Sequence, residues 1–171
     1  MLVVNFFGGP GAGKSTLAAN VFSELKYNYV EAELVPEYAK QLVWSGRNDL
    51  LSNQKLVFDA QFHSIIHLQG KIDVAVVDSP LPLSVIYDPS QDKELKRVIL
   101  DSFHYFDNLN YFVGRTESYS KVGRIHDEDQ ALAIDDNIVT LLLHEKIPFL
   151  PIPYNRESVS VVVEDIMEIL E

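Results

Sequence analysis

A glycine-rich stretch near the start of the chain has the residue types and spacing that bind phosphate. Residues 8–16 read Gly-Gly-Pro-Gly-Ala-Gly-Lys-Ser-Thr and fit the pattern G-x-x-x-x-G-K-[ST]. Glycines let the backbone turn tightly beside an anion, and the amides of the loop and of the next helix then point at it. The predicted nucleotide-binding residues are Gly9, Gly11, Ala12, Gly13, Lys14, Ser15 and Thr16. Among them, Lys14 can reach the β- and γ-phosphates and Ser15 can ligate Mg²⁺.

The residues on either side of this stretch supply the context that the pattern requires. Residues 2–7 are apolar strand formers, and residues 14–25 read as a helix. A strand, a glycine-rich loop and the start of a helix are the arrangement of a phosphate-binding P-loop. The alternative, a glycine-rich turn with a chance lysine, does not require this context.

Two carboxylates follow predicted strands. Asp78 ends the apolar stretch 74–78 and is the expected partner of a magnesium ion, although it could also cap the turn at Ser79. Glu37 follows Pro36 and could accept a proton from an attacking hydroxyl or hold the acceptor. Alternatively, Glu37 is an acidic residue favoured by a helix N-terminus. The sequence leaves open which of the two carboxylates is the base.

Three cations cluster in a polar, glycine-containing segment that we interpret as a mobile lid loop over about residues 114–126. These are Arg115, Lys121 and Arg124. Cations on a closing loop can neutralise the charge that phosphoryl transfer spreads over the phosphate oxygens, and a lid excludes water. Arg115 is therefore predicted to contact the nucleotide, Arg115 and Arg124 to act in catalysis, and Lys121 to bind substrate. A solvated basic loop is the alternative.

Residues for an acceptor pocket are less distinctive. Tyr38 follows Glu37 and could contact a flat ring, although most aromatic residues belong to the core. Gln61 lies inside an apolar helical stretch and needs a hydrogen-bonding partner, which a base edge could provide. We predict substrate contacts for both residues.

Hydrophobic patterns and turn residues predict alternating strands and helices. The predicted strands are residues 2–7, 28–35, 74–78, 110–113 and 147–152. The predicted helices are residues 14–25, 37–44, 52–70 and 90–104, one that begins at Asp127, and one over 156–170. The prolines at 80, 82 and 89 predict irregular structure between two of these elements, and those of the last strand predict an edge position. This alternation predicts one α/β domain over residues 1–171, a three-layer sandwich around a five-stranded parallel sheet.

The bulk composition restricts the function classes. The chain has 171 residues, a formal net charge of −11 and no cysteine. Disulfides, thiolate metal sites and cysteine nucleophiles are therefore excluded. A strongly acidic chain is a poor general binder of nucleic acid, although a local basic groove stays compatible with it. With no apolar run near the ~20 residues of a membrane span and no leader, we expect no membrane association and a cytoplasmic location, that of a bacterial host if the source is viral.

The motifs together resemble a known group of enzymes. The P-loop, Val35-Pro36-Glu37-Tyr38-Ala39-Lys40, Gln61, the stretch 76–80 and Gly123-Arg124 before an acidic helix are similar to the small P-loop kinases of the ribosylnicotinamide-kinase type. Phage proteins described only as ATPases share this layout. Lys40 and Ser79 differ from the arginines that many relatives carry at these positions.

The resemblance implies a parallel sheet of order 2-3-1-4-5, ATP as the phosphate donor, and Mg²⁺. It also implies Glu37 or Asp78 near the acceptor hydroxyl and lid arginines at Arg115 and Arg124. We therefore expect a kinase that transfers the γ-phosphate to a hydroxyl of a nucleoside- or nucleotide-like acceptor. Phage kinases that phosphorylate 5-hydroxymethyluracil within DNA are an alternative, as is an ATPase without an acceptor. The oligomeric state stays open, a homodimer included.

Overall fold

A computed structural model of the chain describes residues 1–115 and 128–171. The strands are β1 (Leu2–Phe7), β2 (Ala32–Val35), β3 (Val74–Val77), β4 (Asp107–Gly114) and β5 (Leu150–Pro153). The helices of the described residues are α1 (Lys14–Tyr27), α2 (Tyr38–Trp44), α3 (Gln54–Ile66), α4 (Leu83–Tyr87), α5 (Lys93–His104), α6 (Glu128–His144) and α7 (Glu157–Leu170). None of these helices combines the length and the apolar character that crossing a membrane requires.

The five strands form one sheet of order β2-β3-β1-β4-β5, and every pairing is parallel. The predicted fold class and strand order are thus confirmed. β1 is buried along its whole length, as expected of a central strand covered on both faces. β5 is an edge strand. It accommodates Pro151 and Pro153, because a proline lacks the amide donor that a strand with neighbours on both sides would need.

Two apolar layers cover the sheet. On one face, α1 and α7 bury residues such as Leu17, Leu25 and Ile166 against the strands. On the other face, α3, α4, α5 and α6 contribute a second core that includes Phe58 and Leu142. The result is a three-layer α/β sandwich, in which all strands end at the same edge of the sheet.

Several predicted boundaries were wrong for identifiable reasons. The strand predicted over 28–35 begins only at Ala32, because α1 continues to Tyr27 and Tyr29 then adopts a left-handed φ of 61°. The stretch predicted to be irregular contains the short helix α4, whose start tolerates Pro82 because the first turn needs no amide donor. β4 extends on both sides of the predicted 110–113, and β5 begins later than predicted.

Two helices also begin later than predicted. The helix predicted over 52–70 is α3, which begins at Gln54, and the side chain of Asn53 caps it by accepting from the Leu56 amide. α3 ends at Ile66, so the chain reaches Gly70 through turns rather than helix. The helix predicted over 90–104 is α5, which begins at Lys93 and is capped by Asp92, while Ser90 bonds to Asp88.

Candidate functional site

The glycine-rich loop connects β1 to α1 at the carboxyl edge of the sheet. Gly8, Gly11 and Gly13 have φ values of 144°, 86° and 97°. This is the region of backbone space that other L-residues rarely occupy, so the loop conformation depends on glycine at these positions. Gly13 directly precedes the first helical residue, Lys14, so the amides of the first turn of α1 belong to the same loop.

Gly13 is also in close contact with an aromatic ring. A Cβ atom added at Gly13 would overlap the ring of Tyr154, a residue that follows β5. The ring therefore packs directly on the loop backbone. Tyr154 was not predicted, because nothing in the local pattern after β5 indicates a contact with a residue about 140 positions earlier.

The side chain of Lys14 is buried against the backbone of its own loop. Lys14 is only 9% exposed, and its Nζ donates to the Gly9 carbonyl oxygen at 3.0 Å. Ser15 is exposed, and the Nζ of Lys40, on α2, lies 3.5 Å from its hydroxyl oxygen. The structure thus brings Lys40 to the loop, a residue that the sequence analysis quoted only as part of the resemblance.

Asp78 follows β3, the strand next to β1. Its amide donates to the Val35 carbonyl oxygen at 3.1 Å, while its carboxylate is buried. Within residues 1–115 and 128–171, Oδ1 of Asp78 is a buried side-chain oxygen without a hydrogen-bonding partner. A buried carboxylate oxygen normally has a partner, so this oxygen is chemically suited to a hard cation such as Mg²⁺, for which the Ser15 hydroxyl is a second candidate ligand.

Glu37 lies between β2 and α2, at the position that precedes the first helical residue, and is half-buried. Gln61, on α3, holds the backbone on both sides of it. Its Oε1 accepts from the Tyr38 amide at 3.0 Å, and its Nε2 donates to the Pro36 carbonyl oxygen at 3.2 Å. Gln61 is 4% exposed. The hydrogen-bonding partner expected for Gln61 is thus the loop that carries Glu37, and a direct contact with substrate stays a prediction.

Arg115 follows β4 and packs against the outside of the P-loop. Its Nη1 donates to the Pro10 carbonyl oxygen at 2.6 Å, and its Nε pairs with Oδ2 of Asp135. The same carboxylate accepts from the Gly9 amide through Oδ1. Arg115 is therefore bonded to the loop backbone and to α6. Its predicted contact with the nucleotide stays a prediction.

Asp135 was missed by the sequence analysis, although a signal was present. Ala131, Ile138 and Leu142 define the buried face of α6, and Asp135 occupies that face at helical spacing. A carboxylate on an otherwise apolar face needs a hydrogen-bonding partner, just as Gln61 does inside its apolar helical stretch. Lys121, Arg124 and Asp127 lie outside the described residues, and so does most of the predicted lid.

The carboxyl ends of the strands therefore bring four predicted residues to one edge of the sheet. Lys14 follows β1, Glu37 follows β2, Asp78 follows β3 and Arg115 follows β4. A glycine-rich loop of this form on a parallel sheet of order 2-3-1-4-5 defines the class of P-loop NTPases.

The family model for an AAA domain matches residues 3–160, and the chain belongs to this family. No match was found among the curated proteins.

Solved structures with the same fold include three from different proteins. The Kti12 protein of Chaetomium thermophilum in complex with ADP-AlF3 is 11% identical, with 98% of each chain covered and a TM-score of 0.59. The deoxyadenosine kinase of M. mycoides with bound dATP is 18% identical, with 99% of each chain covered and a TM-score of 0.56. The Mycobacterium tuberculosis APS kinase CysC, as a Cys556Ala mutant, is 20% identical, covers 97% of this chain and 96% of its own, and has a TM-score of 0.53. At these identities the likeness shows the fold alone.

Proposed function

We propose that the protein is a Mg²⁺- and ATP-dependent kinase that phosphorylates a hydroxyl of a nucleoside- or nucleotide-like acceptor. The observation that carries this proposal is the arrangement at the edge of the sheet. A P-loop with a buried lysine lies beside one carboxylate with an unpartnered oxygen, Asp78, and a second carboxylate, Glu37, follows the outer strand β2. The first two features suit a polyphosphate and its cation, and the second carboxylate suits an acceptor.

On the donor side, Lys14 and the Ala12 amide exchange the Gly9 carbonyl, to which both donate, for phosphate oxygens. The other amides from Gly11 to Thr16 donate to the same group. Ser15 and Asp78 would hold Mg²⁺, which neutralises charge on the β- and γ-phosphates when bound. The described residues contain no group of three His, Cys, Asp or Glu residues that could hold a metal ion. This agrees with a magnesium site that depends on one or two protein ligands, substrate phosphates and water.

On the acceptor side, Glu37 or Asp78 accepts the proton of the attacking hydroxyl. The acceptor oxygen forms a bond to the γ-phosphorus, the bond from this phosphorus to the β–γ bridging oxygen breaks, and ADP leaves. We assign the role of proton acceptor to Glu37, because Gln61 fixes the backbone on both sides of Glu37. Tyr38, Gln61 and Lys121 are proposed to contact the acceptor, and Arg124 to stabilise the transferring group.

The acceptor class is the finer part of the proposal. Deoxyadenosine kinase and APS kinase, two proteins with a similar fold, act on nucleoside and nucleotide substrates by their names. The net charge of −11 favours a free acceptor over a polymer of phosphates. A 5-hydroxymethyluracil base within DNA is the alternative acceptor, and hydrolysis of ATP without an acceptor is the third outcome of the test.

The experiment uses ATP labelled at the γ-phosphate with magnesium, a panel of free nucleosides and nucleotides, and DNA that contains 5-hydroxymethyluracil. We expect label on a free acceptor. Label on DNA alone would show that the acceptor is the modified base within DNA. ADP release that no acceptor accelerates would show an ATPase rather than a kinase. Lys14→Ala should lose transfer, whereas Lys55→Ala, which removes an exposed lysine paired with Asp59, should keep it. Full activity of Lys14→Ala would contradict the use of the P-loop.

A further inference from the structure

Asp135, a carboxylate on α6, bonds to the backbone of the P-loop at Gly9 and has no step assigned to it in the proposed reaction. We propose that Asp135 is a positioning residue, which holds the P-loop in its nucleotide-binding shape through Gly9 and Arg115. This inference rests on the proposed function, because it concerns the same loop. It concerns how the loop is ordered before the nucleotide arrives.

The two oxygens of Asp135 have different partners. Oδ1 accepts from the Gly9 amide, and Oδ2 accepts from Nε of Arg115. Arg115 in turn donates through Nη1 to the Pro10 carbonyl oxygen at 2.6 Å and through Nη2 to the Ala131 carbonyl oxygen at 3.1 Å. Two successive loop residues, Gly9 and Pro10, are thus anchored to α6 by one carboxylate and one guanidinium.

This contact is close-packed. A Cβ atom added at Gly9 would lie 2.8 Å from the Ala131 carbonyl oxygen, 2.8 Å from Nη2 of Arg115 and 2.9 Å from Oδ1 of Asp135. None of these distances leaves room for a side chain, so the loop backbone lies directly on α6. The side chains of Arg115 and Asp135 are 13% and 15% exposed, so water has little access to the pair.

The charges of the pair explain why a carboxylate is tolerated beside a phosphate site. An unpaired aspartate at this position would repel a triphosphate, whereas the Arg115 guanidinium compensates its charge. The net electrostatic effect on the phosphates is therefore small, and what remains is the geometric restraint. Since the Gly9 amide already donates to Asp135, it is not among the donors free to meet phosphate.

The expected consequence concerns nucleotide affinity rather than the chemical step. Without Asp135 the Gly9 amide loses its anchor, and Arg115, which still donates to the Pro10 and Ala131 carbonyl oxygens, loses the ion pair that orients it. The nucleotide must then order this part of the loop as it binds. Once ATP is bound, its own contacts impose the same loop shape. We therefore expect Asp135→Ala to raise the Kd for MgATP by about 10-fold or more, with kcat at saturating ATP changed less than about 3-fold.

The experiment measures MgATP binding by calorimetry, kcat and KM in the transfer assay, and amide hydrogen exchange of the peptide that covers residues 8–13. Asp136→Asn is the matched control, since Asp136 is the neighbouring residue and is exposed. Glu145→Gln, which breaks the pair with Lys96 just beyond the other end of α6, controls for general loss of stability. We expect weaker binding and faster loop exchange in Asp135→Ala and neither effect in the two controls.

Loop exchange separates this inference from the proposed function. If the wild-type protein does not bind MgATP, the proposed function is wrong, and the exchange of residues 8–13 still decides whether Asp135 orders the loop. Unchanged exchange in a folded Asp135→Ala protein would overturn the positioning role. Should that variant fail to fold, Asp135→Asn keeps an acceptor for the Gly9 amide but loses the ion pair, and it must show the same effects to a smaller degree.

Discussion

The most informative single substitution is Gln61→Leu, because Gln61 bonds to the backbone on both sides of Glu37. Leucine has a similar volume, so the change removes two hydrogen bonds, to Tyr38 and Pro36, without opening a large cavity. A buried polar group left without a partner costs about 1–3 kcal/mol. Both bonds are only partly buried, so we take the lower end for each atom and expect a loss of about 2 kcal/mol in the free energy of unfolding.

For a chain of this length, 2 kcal/mol corresponds to a fall in Tm of about 4–8 °C, which thermal unfolding measures directly. Because the loop that carries Glu37 loosens, kcat/KM for the acceptor should fall on the order of 10- to 100-fold while the Kd for MgATP stays unchanged. Gln54→Leu is the matched control. Gln54 is a buried glutamine of the same helix, and it donates to the Leu51 carbonyl oxygen, away from Glu37. An unchanged Tm in Gln61→Leu would refute the positioning of the Glu37 loop by Gln61, and a raised acceptor KM in such a protein would leave only the proposed contact of Gln61 with the acceptor.

Three further substitutions test other parts of the structure. Gly13→Ala should weaken MgATP binding at least about 10-fold, because the backbone strain of about 1–2 kcal/mol adds to the clash with Tyr154. Calorimetry should show that the double variant Gly13→Ala/Tyr154→Ala recovers part of the lost MgATP affinity, since the clash is removed and the strain is kept. Asp78→Asn should lower kcat by about 100-fold or more, because the proposed Mg²⁺ ligand loses its charge. The Tm in metal-free buffer should not fall, because Oδ1 of Asp78 has no hydrogen bond to lose, and a lower Tm would contradict this. Burial and the hydrogen bond to Asp165 raise the pKa of Tyr111 above its ordinary 10.0, so its stabilisation is present below pH 10 and is lost as the unfolded state ionises above it. The difference in unfolding free energy between wild type and Tyr111→Phe should therefore shrink above pH 10 in urea titrations, and a constant difference would contradict the assignment.

Local patterns were sufficient to predict the fold and to place the candidate residues that follow strand ends at one edge of the sheet. The glycine spacing of residues 8–16, the apolar strand before it and the helix after it are all short-range features. Asp78 and Glu37 were found in the same way, because each follows a recognisable strand at the edge where ligands bind in parallel sheets. The late start of β2 shows the limit of local propensity: Tyr29 and Val30 are strand formers, but the end of α1 and the left-handed turn at Tyr29 occupy these positions.

The contacts that join distant segments were not predictable from one sequence. Asp135 meets Gly9 across 126 positions, and Gln61 meets Pro36 across 25. A helix-face pattern can mark Asp135 and Gln61 as polar residues that need partners, but it cannot name those partners. For Arg115, the sequence indicated a cation after a strand. Whether it stood free on a loop or was neutralised by a carboxylate depended on how α6 packs.

The order of the strands determines from which side each substrate should approach. β1 lies between β3 and β4, so the P-loop has Asp78 on one side and Arg115 on the other. Glu37 lies farther out on the β2 side, while Tyr154 follows β5 and touches the loop from the opposite side. Because the γ-phosphate must face the carboxylates, we expect the acceptor on the β2–β3 side and the nucleoside half of ATP toward β4 and β5. Tyr154→Ala should then alter the Kd for MgATP and leave the acceptor KM unchanged, and Tyr38→Ala should do the reverse; a shared effect of both variants on one substrate would contradict this division.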